Sequence, residues 1–419
     1  MDKYINRIID EEIKNNLDVF GAVLVEGMKY CGKSTTCKKL AKTIIEFQDT
    51  KMGNTYKSNV QTDPDYYFSK EPPILFDEWQ EVPAVWDMIR HDIDRTGVNG
   101  KYLLTGSSAP KEGETKHSGI GRINKVKMTT LTLYETGDST GEVSLKAIFD
   151  NEKTSIRGES NTGLKQIANI IIRGGFPKNL NLTEPQVKIT NKGYINLLVN
   201  EDIKKVDGVS RDPDKVLSLL KSYARNISTT ATDATIKKDM ENEGIKIDDK
   251  TFLDYVNTLK KLFIIDNVKA WSPKIRSKTA IRTADRKELA DTGIASSVLG
   301  LTSEALINDG RTFGFFFEAL CIHDLKVYVN NLGGSLFHYR DKNDFEIDAI
   351  IKLDDDRWGA IEIKLGIDKV DEAAENLLLF KDLVVARKEP SFLMVLYGGK
   401  TAYKREDGVL VVPITCLRD

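Results

Sequence analysis

The chain has 419 residues, of which 40% are hydrophobic and 30% charged, a balance that excludes a largely disordered protein. At about 150 residues per domain it has room for two or three domains, each with its own core. Because 61 Lys and Arg residues nearly cancel 63 Asp and Glu residues, the overall charge gives no sign of nucleic-acid binding. Four cysteines without metal-site spacing are too few for a disulfide framework, which favours a cytoplasmic protein.

The first 150 residues have the pattern of an α/β domain. Apolar residues recur at helical spacing from Tyr4 to Leu17 in an acidic segment, which predicts a helix and not a secretory signal. Short apolar runs, separated by helical stretches such as 84–93, predict buried strands of a mostly parallel sheet. These strands are expected at 22–25, 74–76, 102–104 and 126–133. No apolar run reaches the length of a membrane span.

The middle of the chain has helical patterns. Residues 163–206, interrupted by turn residues at 174–177, predict a small helical lid. Three amphipathic helices around 216–227, 234–240 and 252–262, followed by a β-rich stretch at 263–268, predict a winged-helix segment. We expect the lid to occupy 151–210 and the winged helix 211–275, after an N-terminal domain at 1–150.

The last part of the chain, 276–419, predicts a second α/β domain. It begins with a helix through Phe313 and Leu325 and ends with a helix around 373–380 and two strands. The predicted strands lie at 335–339, 345–351, 358–364, 392–397 and 409–412.

A phosphate-binding motif follows the first predicted strand. The segment GMKYCGKS at 27–34 matches G-x-x-x-x-G-K-[ST] and lies between a strand and a helix, the context that this motif needs. Its glycines let backbone N–H groups surround the phosphates of a nucleotide. We expect ATP to contact Gly27, Gly32, Lys33, Ser34 and Thr35, with Lys33 at the β and γ phosphates and Ser34 on Mg²⁺.

Two carboxylates end the strand at 74–76. Asp77 is expected to hold Mg²⁺ and Glu78 to polarise the attacking water. The next strand ends in TGSS at 105–108, where Ser107 is either a sensor of the γ-phosphate or an ordinary turn serine. Arg122 is a candidate arginine finger, acting in cis or across a subunit interface, and a surface arginine or an internal ion pair is the alternative.

Two acids and a lysine lie on consecutive strands of the C-terminal domain. Thirteen residues separate Asp348 from Glu362, and Lys364 follows two positions later. Period-two alternation places all three on one sheet face. Such a group can hold Mg²⁺ through Asp348 and Glu362 and orient a water for phosphodiester hydrolysis, with Lys364 beside it. A polar strand face whose charges satisfy one another is the alternative.

Several of these motifs occur together in one known group of proteins. The segments GMKYCGKS, ILFDEWQEVP, LLTGSS, the GR at Arg122 and RGGFP resemble the bacterial and archaeal AAA+-like ATPases that carry an uncharacterised C-terminal domain. The resemblance implies an ASCE-type P-loop core, a helical lid, a winged-helix segment and a restriction-endonuclease-like tail. The order of elements in the tail resembles the PD-(D/E)xK nuclease core, in which Glu318 takes the place of a frequent extra acid.

These observations leave two main functions open. The leading hypothesis is an ATP- and Mg²⁺-dependent enzyme whose nuclease-like domain acts on DNA, and the alternative is a nucleotide-switched DNA- or protein-binding regulator with an inactive nuclease fold. A partner-binding scaffold whose slow hydrolysis times its assembly is a third possibility. The helix at 248–261 carries Lys250, Lys260 and Lys261 but also three aspartates, so DNA contact and domain packing are both open for it. A homo-oligomer is compatible with either function.

Overall fold

The computed structural model describes residues 4–107, 117–150, 156–272, 284–384, 386 and 388–419. These residues form two compact units. Unit 1 contains the chain up to Thr130 together with Glu201–Ser210 and Asn257–Ile264, and unit 2 contains Leu131–Asn200, Arg211–Val256 and Ile265–Asp419. The units are thus interleaved in sequence. The predicted boundaries at 150/151 and 275/276 fall at or within residues outside the described part. Ser108 of the TGSS segment also lies outside it.

Helices and strands follow one another along the described part of the chain, with the longer strands in its second half. The first half contains α1 (Ile9–Val19), β1 (Ala22–Glu26), α2 (Lys33–Leu40), β2 (Thr43–Glu46), α3 (Gly53–Thr62), α4 (Pro64–Phe68), β3 (Ile74–Asp77), α5 (Ala84–Thr96), β4 (Tyr102–Gly106), β5 (Ile123–Lys127), α6 (Leu133–Thr136), β6 (Val143–Ser144), α7 (Leu145–Phe149), β7 (Gly158–Glu159), α8 (Leu164–Arg173), α9 (Glu184–Leu197) and α10 (Ile203–Lys205). The second half contains α11 (Pro213–Arg225), α12 (Asp233–Asn242), α13 (Asp249–Lys261), β8 (Lys269–Ala270), α14 (Thr292–Val298), α15 (Ser303–Asn308), α16 (Gly310–Asn331), β9 (Gly334–Arg340), β10 (Glu346–Leu353), β11 (Trp358–Lys364), α17 (Val370–Leu383), β12 (Phe392–Tyr397), β13 (Thr401–Lys404), β14 (Leu410–Pro413) and β15 (Leu417–Arg418).

Unit 1 contains a five-stranded parallel sheet in the order β2-β3-β4-β1-β5. The central strands β1, β3 and β4 are buried almost throughout, as their uninterrupted apolar sequences predict. Because all strands run in the same direction, the residues that follow β1, β4 and β3 lie at one edge of the sheet. This edge collects the P-loop, the Thr105–Ser107 segment and the Asp77–Glu78 pair.

An aromatic core supports that edge from one side. Helix α5 turns Val85, Trp86 and Ile89 inward, as its helical spacing of apolar residues requires, and all three are buried. The rings of Trp86 and Trp79 lie 5.0 Å apart between centroids. Since Trp79 directly follows Glu78 in the chain, this packing fixes the segment that carries the acidic pair.

Unit 2 contains an eight-stranded mixed sheet in the order β7-β13-β14-β12-β11-β10-β9-β8. At its centre β12 and β11 pair in parallel, and β11 pairs on its other side with β10 in the antiparallel direction. Helix α17 covers one face through Ala373, Leu377 and Phe380, which join a buried aromatic and aliphatic cluster. The predicted helices and strands of the tail are therefore present in the predicted order, with β13, β15, α14 and α15 as additional elements.

Several predicted elements differ from the structure. The first helix begins at Ile9 and not near Tyr4. The prediction of a strand at 126–133 is wrong beyond Lys127, because β5 covers Ile123–Lys127 and Thr132 then caps α6. The three helices of the winged-helix segment are present as α11, α12 and α13, but the β-rich stretch at 263–268 forms only isolated bridges at Ile265 and Val268.

Within the described part of the chain, no helix is both long and apolar enough to cross a membrane.

Candidate functional site

The loop after β1 has a backbone that requires its glycines. A Cβ atom on Gly27 would lie 2.0 Å from the carbonyl oxygen of Met128, so a side chain at this position would displace the backbone. Gly32, which precedes α2, has a φ of 109°, a left-handed conformation that glycine adopts without strain. The loop therefore folds tightly around the start of the helix, as the motif predicts.

Lys33 lies inside this loop. Its ammonium donates to the carbonyl oxygens of Gly27 and Met28, both at 2.9 Å, and the residue is only 4% exposed. Ser34 is partly exposed and Thr35 exposed in the first turn of α2. The first-turn N–H groups and the dipole of a helix favour negative charge, so loop and helix together form a phosphate-binding surface.

Asp77 and Glu78 reach the same edge at the end of β3. The hydroxyl of Thr105 on β4 donates to Oδ1 of Asp77 at 2.6 Å, and it accepts from the backbone N–H of Glu78 at 2.9 Å. Thr105 is fully buried and Asp77 is 8% exposed. One hydroxyl thus orients the Asp77 carboxylate and the main chain of Glu78.

Glu78 has a φ of 55°, which is unusual for a residue with a side chain. Such strained conformations concentrate at functional sites, where surrounding contacts maintain them. The side chain of Ser107 donates to Oε2 of Glu78 at 3.1 Å, and the amide of Gln80 donates to the same oxygen. Ser107 therefore lies beside the glutamate that we expect to polarise water.

The residues that would bind Mg²⁺ have suitable chemistry. Mg²⁺ prefers oxygen ligands and usually combines one or two protein groups with phosphate and water oxygens. The carboxylate of Asp77, oriented by Thr105, and the hydroxyl of Ser34 are groups of this kind. When bound with nucleotide, the ion would supply charge neutralisation at the phosphates.

Two contacts that were not predicted from the sequence hold the P-loop from outside. The guanidinium of Arg7 donates to the carbonyl oxygens of Cys31 at 2.9 Å and Thr129 at 2.9 Å. The ammonium of Lys29 lies 2.6 Å from Oδ1 of Asp202, in the segment Glu201–Ser210 of unit 1. Both partners lie far away in sequence, so no local pattern could identify them.

Arg122 lies at the opposite end of the strands from the nucleotide site, level with the start of β1. The backbone N–H of Ala22, the first residue of β1, donates to the carbonyl oxygen of Arg122 at 3.1 Å. The P-loop follows the opposite end of this five-residue strand, roughly 16 Å away at 3.3 Å per residue. Nε of Arg122 is 2.7 Å from Oδ1 of Asp94, and the side chain is 47% exposed. The structure therefore does not bring Arg122 to the nucleotide site of its own chain.

Unit 2 brings together the acids and the lysine of the predicted second site. Lys364 Nζ lies 2.5 Å from Oε2 of Glu362 and 3.2 Å from Oδ2 of Asp348. The backbone N–H of Ile363 donates to Oδ2 of Asp348 at 2.8 Å. The predicted convergence of Asp348, Glu362 and Lys364 is thus present, although Glu362 is 2% exposed and not on an open polar face.

A further cation, Arg286, lies in this cluster. Its guanidinium forms an ion pair with Glu318 on α16, and Nη1 donates to the carbonyl oxygen of Asp348 at 2.9 Å. Nη1 is also 3.7 Å from Oδ1 of Asp348, and Nε is 3.6 Å from Oε1 of Glu288. Glu318 was identified from the sequence, whereas the arginine that pairs with it was not.

Burial and charge shift the protonation of the cluster in opposite directions. Burial, together with the neighbouring Asp348 carboxylate, raises the pKa of Glu362 well above its usual value. Burial acts in the same direction on Asp348, but the cations Lys364 and Arg286 lower the pKa of Asp348 below its usual value. Burial also raises the pKa of Glu288 to about 7.

This second cluster does not fit the Mg²⁺ that the sequence predicts at Asp348 and Glu362. Glu318 and Asp348 form ion pairs with Arg286, and Glu362 forms one with Lys364. The carboxylate oxygens that would bind the metal ion are therefore occupied by protein cations. In the ranges that the structure describes, no group of three or more His, Cys, Asp and Glu side chains is arranged to hold a metal ion.

Family models match three parts of the chain. Residues 19–137 match the AAA domain, residues 164–305 match a domain of unknown function (DUF8612), and residues 313–417 match another (DUF4143). The first match covers the sheet and the loops of the nucleotide site. Together with that geometry, it defines an AAA-like P-loop ATPase domain; neither of the other two matches carries a functional description.

Similar proteins add little about function. Two uncharacterized proteins, one from Mycobacterium bovis and one from Mycobacterium tuberculosis, are each 21% identical over 399 residues, covering 93% of this chain and 79% of the relative. A solved structure of a Walker-type ATPase of Pyrococcus abyssi aligns with a TM-score of 0.44 and 14% identity, over 71% of this chain and 96% of that one.

Proposed function

We propose that this protein binds Mg²⁺-ATP at the P-loop of unit 1 and hydrolyses it to ADP and phosphate. The observation that carries the proposal is the meeting of Lys33, Asp77 and Glu78 at one sheet edge, with Thr105 bonded to both acidic residues. Phosphoryl transfer to water needs a phosphate-binding cation, a metal-binding carboxylate and a carboxylate that polarises the attacking water, and these three residues are of the kinds required.

Each residue has a distinct role in this proposal. Lys33 exchanges its two carbonyl contacts for the β and γ phosphates, while Gly27, Gly32 and Thr35 offer backbone N–H groups to the phosphate chain. Ser34 and Asp77 hold Mg²⁺, and Glu78 accepts a hydrogen bond from the attacking water and polarises it. Ser107, already bonded to Glu78, contacts the water or the γ-phosphate.

The test is ATP turnover by the full chain with Mg²⁺. We expect phosphate release by the wild type, and loss of both nucleotide binding and turnover in Lys33→Ala. Lys42→Ala is the matched control, because it removes a lysine after α2 and outside the loop. Equal turnover in Lys33→Ala and the wild type would refute the proposal.

We further propose a cytoplasmic protein, as its four free buried cysteines would be compatible with a reducing compartment.

For unit 2, we propose the nuclease-like fold that the element order and the Asp348, Glu362 and Lys364 group suggest. Of the two functions left open, an active Mg²⁺-dependent nuclease on DNA needs these carboxylates as metal ligands. Their ion pairs with Arg286 and Lys364 favour the other function, a nucleotide-switched regulator that binds DNA or protein without cleaving it.

Cleavage assays separate the two functions of unit 2. Linear, supercoiled and single-stranded DNA would be incubated with Mg²⁺, with and without ATP, and with wild type or Lys364→Ala. We expect no cleavage by either protein while ATP hydrolysis continues. Cleavage by the wild type that Lys364→Ala abolishes would establish the nuclease instead. Retardation of the same DNA in a gel, dependent on nucleotide, would support DNA as the partner.

We also propose a homo-oligomer in which Arg122 acts between subunits, and a winged-helix segment that contacts DNA. Arg122 is exposed and distant from its own P-loop, so a catalytic role requires a second copy of the chain, whose nucleotide it would contact as an arginine finger. Helices α11, α12 and α13 supply the helical part of a winged helix, with Lys250, Lys260 and Lys261 as candidate phosphate contacts.

A further inference from the structure

The acid cluster of unit 2 contains a cation whose position is fixed by its own backbone. The N–H of Arg286 donates to the carbonyl oxygen of Val268 at 2.9 Å, and the N–H of Val268 donates to the carbonyl oxygen of Arg286 at 3.0 Å. The Arg286 side chain is 8% exposed. The guanidinium therefore extends from an anchored main chain into the cluster and has little room to leave it.

The contacts of this guanidinium resemble those of a bound metal ion in kind. It contacts one carboxylate from helix α16, Glu318, and both a carboxylate and a main-chain carbonyl from strand β10, those of Asp348. Carboxylate and carbonyl oxygens from different elements are also the ligand set of a hard divalent cation. An arginine offers five N–H donors in a rigid plane and stays protonated, so it satisfies several such acceptors at once.

Charge excludes an additional divalent ion while both cations remain. Four carboxylates, those of Glu288, Glu318, Asp348 and Glu362, lie against the guanidinium of Arg286 or the ammonium of Lys364. A divalent cation at the same oxygens would lie within a few ångströms of two positive groups in a buried environment, where repulsion is weakly screened.

We propose that Arg286 is the resident counter-ion of this cluster and occupies the place that a divalent metal ion would take between Glu318 and Asp348. The inference rests on the proposed inactivity of unit 2 and deepens it, because it names the residue responsible. It also predicts that the cluster becomes a divalent-cation site once the charge of Arg286 is removed.

Manganese binding to the full chain without nucleotide tests this inference, with free Mn²⁺ measured by electron paramagnetic resonance. We expect Arg286→Gln to gain one Mn²⁺ site that wild type and the charge-retaining Arg286→Lys lack, and Arg286→Gln combined with Asp348→Asn to lose it again. Folding of each variant is followed by circular dichroism, and ATP turnover is expected to equal that of wild type.

Two results would overturn the inference. One is a wild-type Mn²⁺ site that disappears in Asp348→Asn, since metal and Arg286 would then coexist. The other is a folded Arg286→Gln that gains no site. Should Arg286→Gln fail to fold, the wild-type comparison with Asp348→Asn still decides, because an unchanged Mn²⁺ titration supports the inference. If the wild type does not turn over ATP, the ATPase proposal is contradicted. The Mn²⁺ titrations of wild type and variants still test this inference, because they are made without nucleotide.

Discussion

The hydroxyl of Thr105 donates to the Asp77 carboxylate at 2.6 Å and, by accepting from the N–H of Glu78 at 2.9 Å, connects both acidic residues of the nucleotide site. Thr105 belongs to β4, which lies between the P-loop strand β1 and the strand β3 that carries the acids. From this position one hydroxyl orients the carboxylate of Asp77 and the main chain of Glu78, the two residues to which we assign metal binding and water polarisation.

Thr105→Val should lower turnover more than nucleotide binding. The substitution keeps the side-chain shape but leaves Asp77 and the N–H of Glu78 without this partner. Loss of such an orienting contact typically costs about 10- to 100-fold in activity. The measurement is steady-state ATP hydrolysis as a function of Mg²⁺-ATP. Thr105→Ser, which retains the hydroxyl, should recover most of kcat, and an equally poor serine variant would contradict an orienting role.

Asp202→Asn should tighten ATP binding. The Asp202 carboxylate is 12% exposed and pairs with Lys29 of the P-loop at 2.6 Å, so it places negative charge near the expected phosphates and holds a lysine away from them. A partly exposed pair is worth about 0.2–1 kcal/mol, which corresponds to roughly 1.4- to five-fold in Kd. Fluorescent-nucleotide titration would measure this change.

Lys205→Gln provides the matched control for that change. Lys205 is 3.4 Å from the same oxygen of Asp202 but lies outside the P-loop. Its substitution should leave ATP affinity unchanged. Weaker ATP binding in Asp202→Asn would instead indicate that the pair supports the binding conformation of the loop.

Gly27→Ala should abolish nucleotide binding, because the added Cβ would lie 2.0 Å from the Met128 carbonyl oxygen. Gly193→Ala is a useful comparison: it lies inside α9, and a Cβ there has no atom within 4 Å. That variant should bind ATP normally and be stabilised by about 0.5–1 kcal/mol through helix propensity. Thermal unfolding and nucleotide titration of both variants check the contrast; normal ATP binding by Gly27→Ala would refute the close packing.

Glu288→Gln should change how stability depends on pH. Burial raises the pKa of Glu288 from its ordinary 4.5 to about 7 in the folded protein. A raised pKa means that the folded state retains the proton more strongly, so this residue's contribution is complete below pH 4.5 and disappears as pH rises through 7. The loss is on the order of 3 kcal/mol.

Urea unfolding at pH 5 and pH 8 measures this effect. The free energy of unfolding of the glutamine variant relative to wild type should be higher at pH 8 than at pH 5, since glutamine never ionises. An identical difference at both pH values would show that Glu288 does not titrate in this range.

Sequence alone predicted the parts of the site that depend on local pattern. Gly27, Gly32 and Lys33 lie within one short motif, and the buried runs before Asp77 and Ser107 fixed β3 and β4. Because parallel strands end at one edge, their meeting followed from the sheet type. The same local logic identified Asp348, Glu362 and Lys364 on β10 and β11.

Partners far apart in sequence were not predictable in this way. Arg286 contacts Asp348 across 62 residues, and Arg7 contacts Thr129 across 122. Thr105 lies in the TGSS segment two residues before Ser107, but its contact with Asp77 depends on β3 and β4 being neighbours. The strands at 263–268 were overestimated because Ile264, Ile265 and Val268 are buried without forming a ladder.

Nucleotide binding and ATP turnover of Glu78→Gln, measured side by side with wild type, test the central claim most directly. Glutamine keeps the size and the hydrogen-bonding capacity of the side chain but removes the charge that polarises water. We expect ATP affinity within a few-fold of wild type and turnover reduced by about 10²–10⁴-fold, the usual contribution of a positioned base. Wild-type turnover in Glu78→Gln would contradict this role and remove Glu78 from the hydrolytic site.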